Sequence, residues 1–298
     1  QLQKWQQGFS KRERTLLTGL SGTAKSLVMA NAYENVPDKY IIITDSQFHA
    51  NELYDELSTL LGEEKVYQFF SDDNVYAEFA LASKDRVAYR LEALNFLLDE
   101  AATGFLVVPF LATRSLLPHP DNFLENYLLL TTGEEYDLKN LLTMLSAAGY
   151  EKTQRVMTPG EFSIRGDIVD LYPLDAANPV RLEFFGDEVD TIRTFDVDSQ
   201  RSLDSLETLE IYPASDFILS DKEFDKGIKA LRTQLNLLTD PSAKSYMEEV
   251  ISAAENHYYH KDLRKFAAYF FVKINSILDY VPKNVQIFID DFQKVNDA

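Results

Sequence analysis

One change of pattern along the chain constrains its fold more than any other feature. Before about residue 117, short apolar runs alternate with helical stretches, which predicts a parallel sheet covered by helices. The runs are at residues 15–18, 40–44, 65–70 and 105–109, and the helical stretches begin at Lys25 and cover residues 47–61 and 85–98. Residues 151–213 contain consecutive strand-like runs separated by Gly and Pro turn signals. That segment predicts an antiparallel unit inserted into an α/β chain.

Helical patterns flank the strand-rich segment on both sides. They cover residues 137–147, 222–238, 242–259 and 261–271, and a last strand-like run follows at residues 285–289. We therefore divide the chain into three parts. Residues 1–125 begin an α/β lobe, residues 126–213 form an inserted β-rich (α+β) domain, and residues 214–298 are a mostly helical return segment that completes the first lobe.

Residues 19–26, GLSGTAKS, resemble a phosphate-binding loop between a predicted strand and a predicted helix. The working pattern is Gly-x4-Gly-Lys-Ser/Thr. Gly19, Lys25 and Ser26 fit that pattern, and Gly22 adds a glycine within the loop, but Ala24 replaces the second required glycine. A Cβ at this position hinders the close approach of backbone N–H groups to phosphate. We therefore expect a vestigial nucleotide loop.

An ATPase would also need an apolar strand that ends in Asp-Glu, to hold magnesium and orient water. Residues 286–291, QIFIDD, have this outline, with Asp290 followed by Asp291 in the glutamate position. Taken alone, the segment is better explained as an ordinary strand that leaves into an acidic turn. We interpret it as a vestigial acidic box and expect no powered nucleotide cycle.

The charge balance limits the partners of the chain. Its 29 basic and 48 acidic residues give a formal net charge of −19, which disfavours attraction to DNA or to an anionic membrane and favours basic protein partners. The absence of cysteine excludes disulfides and zinc–thiolate sites, which fits a cytoplasmic location. His257 and His260 have a spacing that a metal could use beside Glu255, but a solvated helix face is the better interpretation, and we predict no metal site.

The strand-rich segment contains an outward-facing aromatic residue. Alternation in residues 180–185, VRLEFF, turns Arg181, Glu183 and Phe185 to one face, opposite the apolar face. The same rule turns Arg165 outward in residues 161–165. An exposed aromatic side chain flanked by arginines has the composition of a binding hot spot. The alternative is that Phe185 packs under the adjoining lobe and that both arginines pair with local acids.

Three segments of this region resemble a known family. They are PGEFSIRGDIVDLYP at residues 159–173, RLEFFGDE at residues 181–188 and FDVDSQR at residues 195–201. Together they resemble the N-terminal region of the bacterial transcription-repair coupling factor (Mfd) family. That region is similar in turn to the excision-repair helicase subunit UvrB. The resemblance covers nearly the whole chain and is most specific over residues 158–213.

The resemblance implies a degenerate P-loop helicase-like lobe with an inserted domain that binds the repair protein UvrA. The family's partner-binding residues correspond to Arg165, Arg181 and Phe185, and Arg193 is a further candidate whose strand parity the sequence leaves unclear. RNA polymerase and DNA would be bound by modules outside these residues. ATP and magnesium would likewise serve motor domains elsewhere in the full-length protein, so we expect no cofactor for this region.

The expected function is a non-catalytic adaptor that binds UvrA and recruits it to stalled RNA polymerase. The alternative is a nucleotide-dependent DNA helicase subunit of the UvrB type. Ala24 disfavours the alternative, and so does the sequence after residues 105–109, which leaves no room for the helicase's aromatic DNA-gripping hairpin. In a third hypothesis, a C-terminal module of the longer protein masks the same surface.

Overall fold

The structure, a computed structural model, describes residues 15–71, 84–255 and 263–297. Its elements up to residue 124 are α1 (Ala24–Asn35), β1 (Lys39–Thr44), α2 (Gln47–Leu61), β2 (Val66–Gln68), α3 (Lys84–Leu98), β3 (Gly104–Pro109) and α4 (Pro120–Leu124). The strand-rich part has β4 (Leu128–Thr131), α5 (Leu138–Ala147), β5 (Glu151–Lys152), β6 (Glu161–Arg165), β7 (Ile168–Leu171), β8 (Val180–Phe185), β9 (Glu188–Phe195), β10 (Ser202–Leu206) and β11 (Thr208–Ile211). The last elements are α6 (Asp221–Leu237), α7 (Pro241–Glu255), α8 (Ala267–Phe270), β12 (Gln286–Ile289) and α9 (Phe292–Asp297).

The described residues fall into two compact units. The first takes its residues from 1–79, 92–115 and 276–298, and the second from 80–91 and 116–275. The chain is thus a mixed α/β protein with one parallel sheet and separate antiparallel sheets. Helices α6 to α8 belong to the second unit, whereas the sequence interpretation assigned them to a segment that completes the first lobe.

The first unit is built on a four-stranded parallel sheet in the order β12-β1-β3-β2. β1 is one of its inner strands, and Tyr40, Ile41 and Ile42 are almost completely buried. Tyr40 stacks on Phe105 of the neighbouring strand with ring centroids 5.1 Å apart. Aromatic and β-branched side chains of this kind suit a sheet that is covered on its faces.

The segments around the sheet follow the predicted pattern, with one exception. Helix α2 covers the predicted residues 47–61; the Ser46 side chain accepts a hydrogen bond from the His49 backbone N–H at its start, and Gly62 follows its end with φ of +97°. The predicted strand at residues 15–18 was wrong. These residues form no strand, and Leu16 is 81% exposed. The loop at residues 19–26 therefore does not follow a strand.

The second unit contains a six-stranded sheet in the order β10-β9-β8-β7-β6-β5, in which all neighbours except β5 and β6 are antiparallel. A separate antiparallel pair joins β4 to β11. One face of the large sheet packs under α5, and the core there includes Phe162, Val169, Leu171, Val180, Leu182, Phe184, Ile192, Leu141 and Leu145. The predicted antiparallel β-rich region at residues 151–213 is therefore present.

Helices α6, α7 and α8 enclose another core of the second unit, which includes Phe224, Leu231, Met247, Val250, Ile251 and Phe270. The helix predicted at residues 261–271 is a 3-10 turn over Leu263–Phe266 followed by the short α8. The Asp216 carboxylate is fully buried in this unit and pairs with two arginines. Arg90 Nε donates to its Oδ2 at 2.5 Å, and Arg264 donates to both of its oxygens. Across the described residues, no helix is long and apolar enough to cross a membrane.

Candidate functional site

The outer face of the large antiparallel sheet brings together the residues that the sequence predicted to face outward. We call Arg165, Asp170, Arg181, Phe185 and Arg193 the arginine face. Asp170 pairs with Arg181 across β7 and β8, and Arg181 pairs with Arg193 across β8 and β9. Directly paired residues of antiparallel strands lie on the same side of a sheet. Arg193 therefore lies on the same face as Arg181, which resolves its parity.

Asp170 lies at the centre of the arginine face and is only 2% exposed. Arg165 Nη2 donates to its Oδ2 at 2.5 Å. Arg181 binds both of its oxygens, with Nε to Oδ1 at 2.6 Å and Nη2 to Oδ2 at 3.0 Å. A carboxylate can be held at such depth because charged hydrogen bonds replace its lost hydration.

Arg181 is held on several sides. Its guanidinium carbon lies 4.6 Å from the centroid of the buried Phe195 ring, a cation–π arrangement. Its Nη2 also donates to Gln200 Oε1 at 3.3 Å. The hydrogen bond to Asp170 raises the pKa of Arg181 above its ordinary value, so its charge is permanent. Only 15% of the Arg181 side chain is exposed, compared with 50% of the Arg165 side chain.

Phe185 is 82% exposed at the end of β8. It pairs with Glu188 across a two-residue turn whose first residue, Gly186, has φ of +66°. A two-residue hairpin of this kind needs a positive φ there, which glycine supplies without strain. Arg165 and Arg181 pair with a local acid, as the alternative interpretation expected.

The vestigial loop lies in the first unit, and its polar groups are occupied by carboxylates of the chain. Lys25 Nζ lies 2.5 Å from Asp290 Oδ1, beyond the end of β12. The buried Ser26 hydroxyl donates to Glu56 Oε2, and Thr23 Oγ1 donates to Glu56 Oε1 at 3.2 Å. The two groups that a nucleotide loop would offer to phosphate and magnesium are thus bound within the chain.

The remaining predicted loop residues have simpler surroundings. Gly19 and Gly22 have φ of +84° and +53°, and a Cβ on either would meet no atom within 4 Å. Ala24 is the first residue of α1, and Asp291 has φ of +55°. His257 and His260 lie outside the described residues. No cluster of His, Asp and Glu suited to a metal occurs in the part of the chain that the structure describes.

Sequence reasoning missed Asp170 and Glu56, the two carboxylates that organise these sites. Asp170 had a signal, because it interrupts the apolar run Ile168-Val169-Asp170-Leu171 in a strand. A charge at such a position usually has a partner on the neighbouring strand. Glu56 had none, because the predicted helix at residues 47–61 contains several other acidic residues.

The sequence of the chain is similar to those of known proteins. Residues 128–217 match the family model described as the UvrB interaction domain. The transcription-repair-coupling factor of Bacillus subtilis (strain 168) is 33% identical over 291 residues, which cover 95% of this chain and 25% of that protein. The proteins of the same name from Staphylococcus aureus (strain MRSA252) and Staphylococcus epidermidis (strain ATCC 12228 / FDA PCI 1200) are 30% and 29% identical, over 95% and 96% of this chain.

The chain spans about a quarter of the length of the curated relatives it matches. The family-model match covers the antiparallel sheet and therefore includes the whole arginine face. The relatives align with nearly all of the chain, including both compact units. The chain belongs to the transcription-repair coupling factor family and corresponds to its UvrB-like N-terminal region.

Proposed function

We propose that this region is a non-catalytic adaptor that binds UvrA through the arginine face and recruits it to stalled RNA polymerase. One observation carries the proposal. Phe185 is 82% exposed on a sheet whose inner face is packed, and its face also carries arginines held in fixed positions. Exposed aromatic and arginine side chains on a rigid element are typical of binding hot spots, because little conformational entropy is lost on binding.

Membership of the family and the match to the UvrB interaction domain support the choice of partner. The domain's name implies a UvrA partner for a UvrB-like surface. Contacts with RNA polymerase and DNA, and the use of ATP and magnesium, are proposed for other parts of the full-length protein. A helicase-like ancestry of the first unit is also a proposal, supported by its parallel sheet and by the remnant loop.

The state of the loop supports the non-catalytic part of the proposal. Phosphate binding would require Lys25 to exchange Asp290 for the ligand, and magnesium binding would require Ser26 to release Glu56. The contact of Lys25 with Asp290 places negative charge where a nucleotide would place a phosphate, and the contact of Ser26 with Glu56 occupies the hydroxyl that would bind magnesium, so nucleotide and metal would have to displace both. Ala24 adds the steric defect that the sequence already indicated.

A titration of purified UvrA against the chain tests the proposal. The double variant Arg181→Ala/Phe185→Ala should weaken binding by about 2 kcal/mol or more, which is about 30-fold in Kd, because both residues are placed as hot spots. Affinity of the unsubstituted chain should also fall at high salt, since screening weakens arginine–carboxylate contacts.

The matched control is Arg232→Ala/Leu237→Ala. It removes an exposed arginine and an exposed apolar side chain from α6 of the same unit, away from the sheet. We expect this control to bind UvrA like the unsubstituted chain. Retention of full affinity by Arg181→Ala/Phe185→Ala would refute the proposed docking face.

A further inference from the structure

Resting on the proposed function, we propose that Asp170 is a positioning residue of the docking face. In this role it fixes Arg165 and Arg181 so that together they receive one carboxylate of the partner. Phe185 would enter an apolar pocket of the same partner. The inference names the chemistry of the partner's surface and assigns a role to a residue that would not itself contact the partner.

The burial of Asp170 is the first step of the argument. Only 2% of the residue is exposed, and both of its oxygens accept hydrogen bonds from arginine. A carboxylate this deep is stable only if its charge is compensated. Moving either arginine away from Asp170 would therefore leave part of a buried charge uncompensated, which is energetically unfavourable. The two arginines lose little further freedom when a partner binds.

The charge count is the second step. On this face the carboxylates of Asp170 and Glu183 stand against the guanidinium groups of Arg165, Arg181 and Arg193, so the face keeps one positive charge. Among the described residues, the hydrogen bonds of this cluster use Arg165 Nη2 and Arg181 Nε and Nη2. Other N–H groups of both guanidiniums are thus left for an acceptor. An anionic planar acceptor, a carboxylate, fits these groups best.

The spacing along β8 is the third step. Phe185 follows Arg181 by four residues and projects from the same face. Four residues of extended strand span about 13 Å. The partner should therefore carry a carboxylate and an apolar pocket separated by about that distance. If the carboxylate and the pocket of the partner were closer together, the partner could contact the arginines or Phe185 but not both.

The substitution Asp170→Asn separates positioning from simple charge attraction, because the two predict opposite signs. Removing the carboxylate charge makes the face more positive, so charge attraction alone would strengthen binding to an acidic surface. If Asp170 acts by positioning, the arginines lose the charge of their anchor and one of its two acceptor oxygens, and binding weakens in spite of the added positive charge. We expect about a tenfold or greater rise in the Kd for UvrA, which is about 1.4 kcal/mol.

Two further variants make the test specific. Asp167→Asn removes the same charge from an exposed position in the β6–β7 turn and should leave the Kd within about threefold, as expected of a rim charge. Gln200→Gly removes the side chain that contacts Arg181 at a residue whose φ is +59°, a conformation that glycine adopts without strain. It should weaken UvrA binding severalfold without lowering the melting temperature, which a purely structural role would not produce.

A double-mutant cycle tests whether Asp170 acts through the arginines. In the Arg165→Ala/Arg181→Ala background, Asp170→Asn should cause no further loss of UvrA binding. In the Phe185→Ala background, its effect should be undiminished, because Phe185 contacts a separate part of the partner. An equal additional loss in both backgrounds, or tighter binding by Asp170→Asn alone, would overturn the inference.

An NMR measurement keeps this inference distinguishable from the proposed function. The Arg181 Nε–H donates to Asp170 and should give a slowly exchanging side-chain signal that Asp170→Ala, which leaves no acceptor at this position, removes and Asp167→Asn preserves. Loss of that signal with no UvrA binding by any chain would uphold the positioning and reject UvrA as the partner. Persistence of the signal in Asp170→Ala would reject the positioning even if UvrA binds.

Discussion

Two buried aspartates of the second unit each bind two arginines, and their surroundings give them different roles. Asp170 lies on the outer face of the sheet and binds Arg165, whose side chain is half exposed. Asp216 is fully buried beside Arg90, whose side chain is only 4% exposed. The same combination of charges can therefore present arginines to a partner or join distant segments of one core. Arg264, the second arginine on Asp216, is 29% exposed, so exposure alone does not separate the two clusters; the Asp170 arginines differ in lying on a sheet face that also carries the exposed Phe185.

The Asp216 cluster leads to a prediction on stability. Asp216→Asn should lower the free energy of unfolding at neutral pH by about 3–5 kcal/mol, because it leaves two arginines beside an uncharged group in the interior. Urea unfolding followed by circular dichroism measures the change. Glu255→Gln, which breaks the exposed pair with Arg232, should cost about 0–1 kcal/mol. Equal losses in the two variants would contradict the prediction.

The pH dependence of the Asp216 effect has a definite sign. Burial alone would raise the pKa of this carboxyl, but the charges of Arg264 and Arg90 outweigh burial and hold the pKa below its ordinary value of 3.8. A depressed folded-state pKa contributes stability above the unfolded-state value and loses it as pH falls through the folded-state value. The difference between wild type and Asp216→Asn should therefore stay constant from pH 7 to pH 5 and shrink only below about pH 4.

Single-residue orientation could be predicted from the sequence, but side-chain pairing could not. Alternation within one strand placed Arg165, Arg181 and Phe185 outward, and the structure has all three on that face. The hydrogen bonds of Asp170 with both arginines depend on the register between β6, β7 and β8. That register is set by turn geometry and packing across strands. No pattern within one strand contains this information.

At the scale of elements, α6 and α8 approach each other unusually closely at Gly227. A Cβ at this position would lie 2.0 Å from Phe270 Cδ1, which is too short for a contact between non-bonded atoms. Alanine normally stabilises a helix by about 1 kcal/mol relative to glycine. Gly227→Ala should instead destabilise the chain by about 1–3 kcal/mol, because Phe270 is completely buried and cannot move aside without disturbing the core.

The control for this prediction is Asn236→Ala, at an exposed position of the same helix. It should change the free energy of unfolding by less than about 0.7 kcal/mol and in the stabilising direction. Thermal unfolding of both variants gives the comparison. A higher melting temperature for Gly227→Ala would show that the helices separate easily, and would contradict the packing described for this core.

The elements themselves could be predicted well where local signals agreed with packing. Helix α2 has an amphipathic pattern, an N-cap serine and a terminal glycine, and its bounds were predicted to the residue. The run at residues 15–18, TLLT, was predicted as a strand from its residues but is not a strand in the structure. Strand propensity describes how side chains fit a pleated surface. A strand forms only where a neighbour supplies hydrogen bonds, which the local sequence cannot report.

At the scale of the whole molecule, net charge and the occupied loop predict that polyanions will not bind. At about 0.15 M salt, duplex DNA should cause no change in fluorescence anisotropy, because a chain of charge −19 gains nothing by releasing counterions from phosphate. Millimolar Mg-ATP should leave the melting temperature unchanged. A ligand present at 100 times its Kd would instead add about 2.7 kcal/mol to the free energy of unfolding and raise the melting temperature. DNA-stimulated ATP turnover that disappears in Lys25→Ala would refute this and revive the helicase alternative.

The pairing of Lys25 with Asp290 and of Ser26 with Glu56 has a consequence for how the cell could control this region. A ligand can shift the behaviour of a protein only through a difference in affinity between its states. We propose that this loop, whose lysine and serine are held by carboxylates of the chain, binds neither ATP nor ADP, so that nucleotide would not shift this region between states. On this proposal, the affinity of this region for its partner should be the same in starved and well-fed cells.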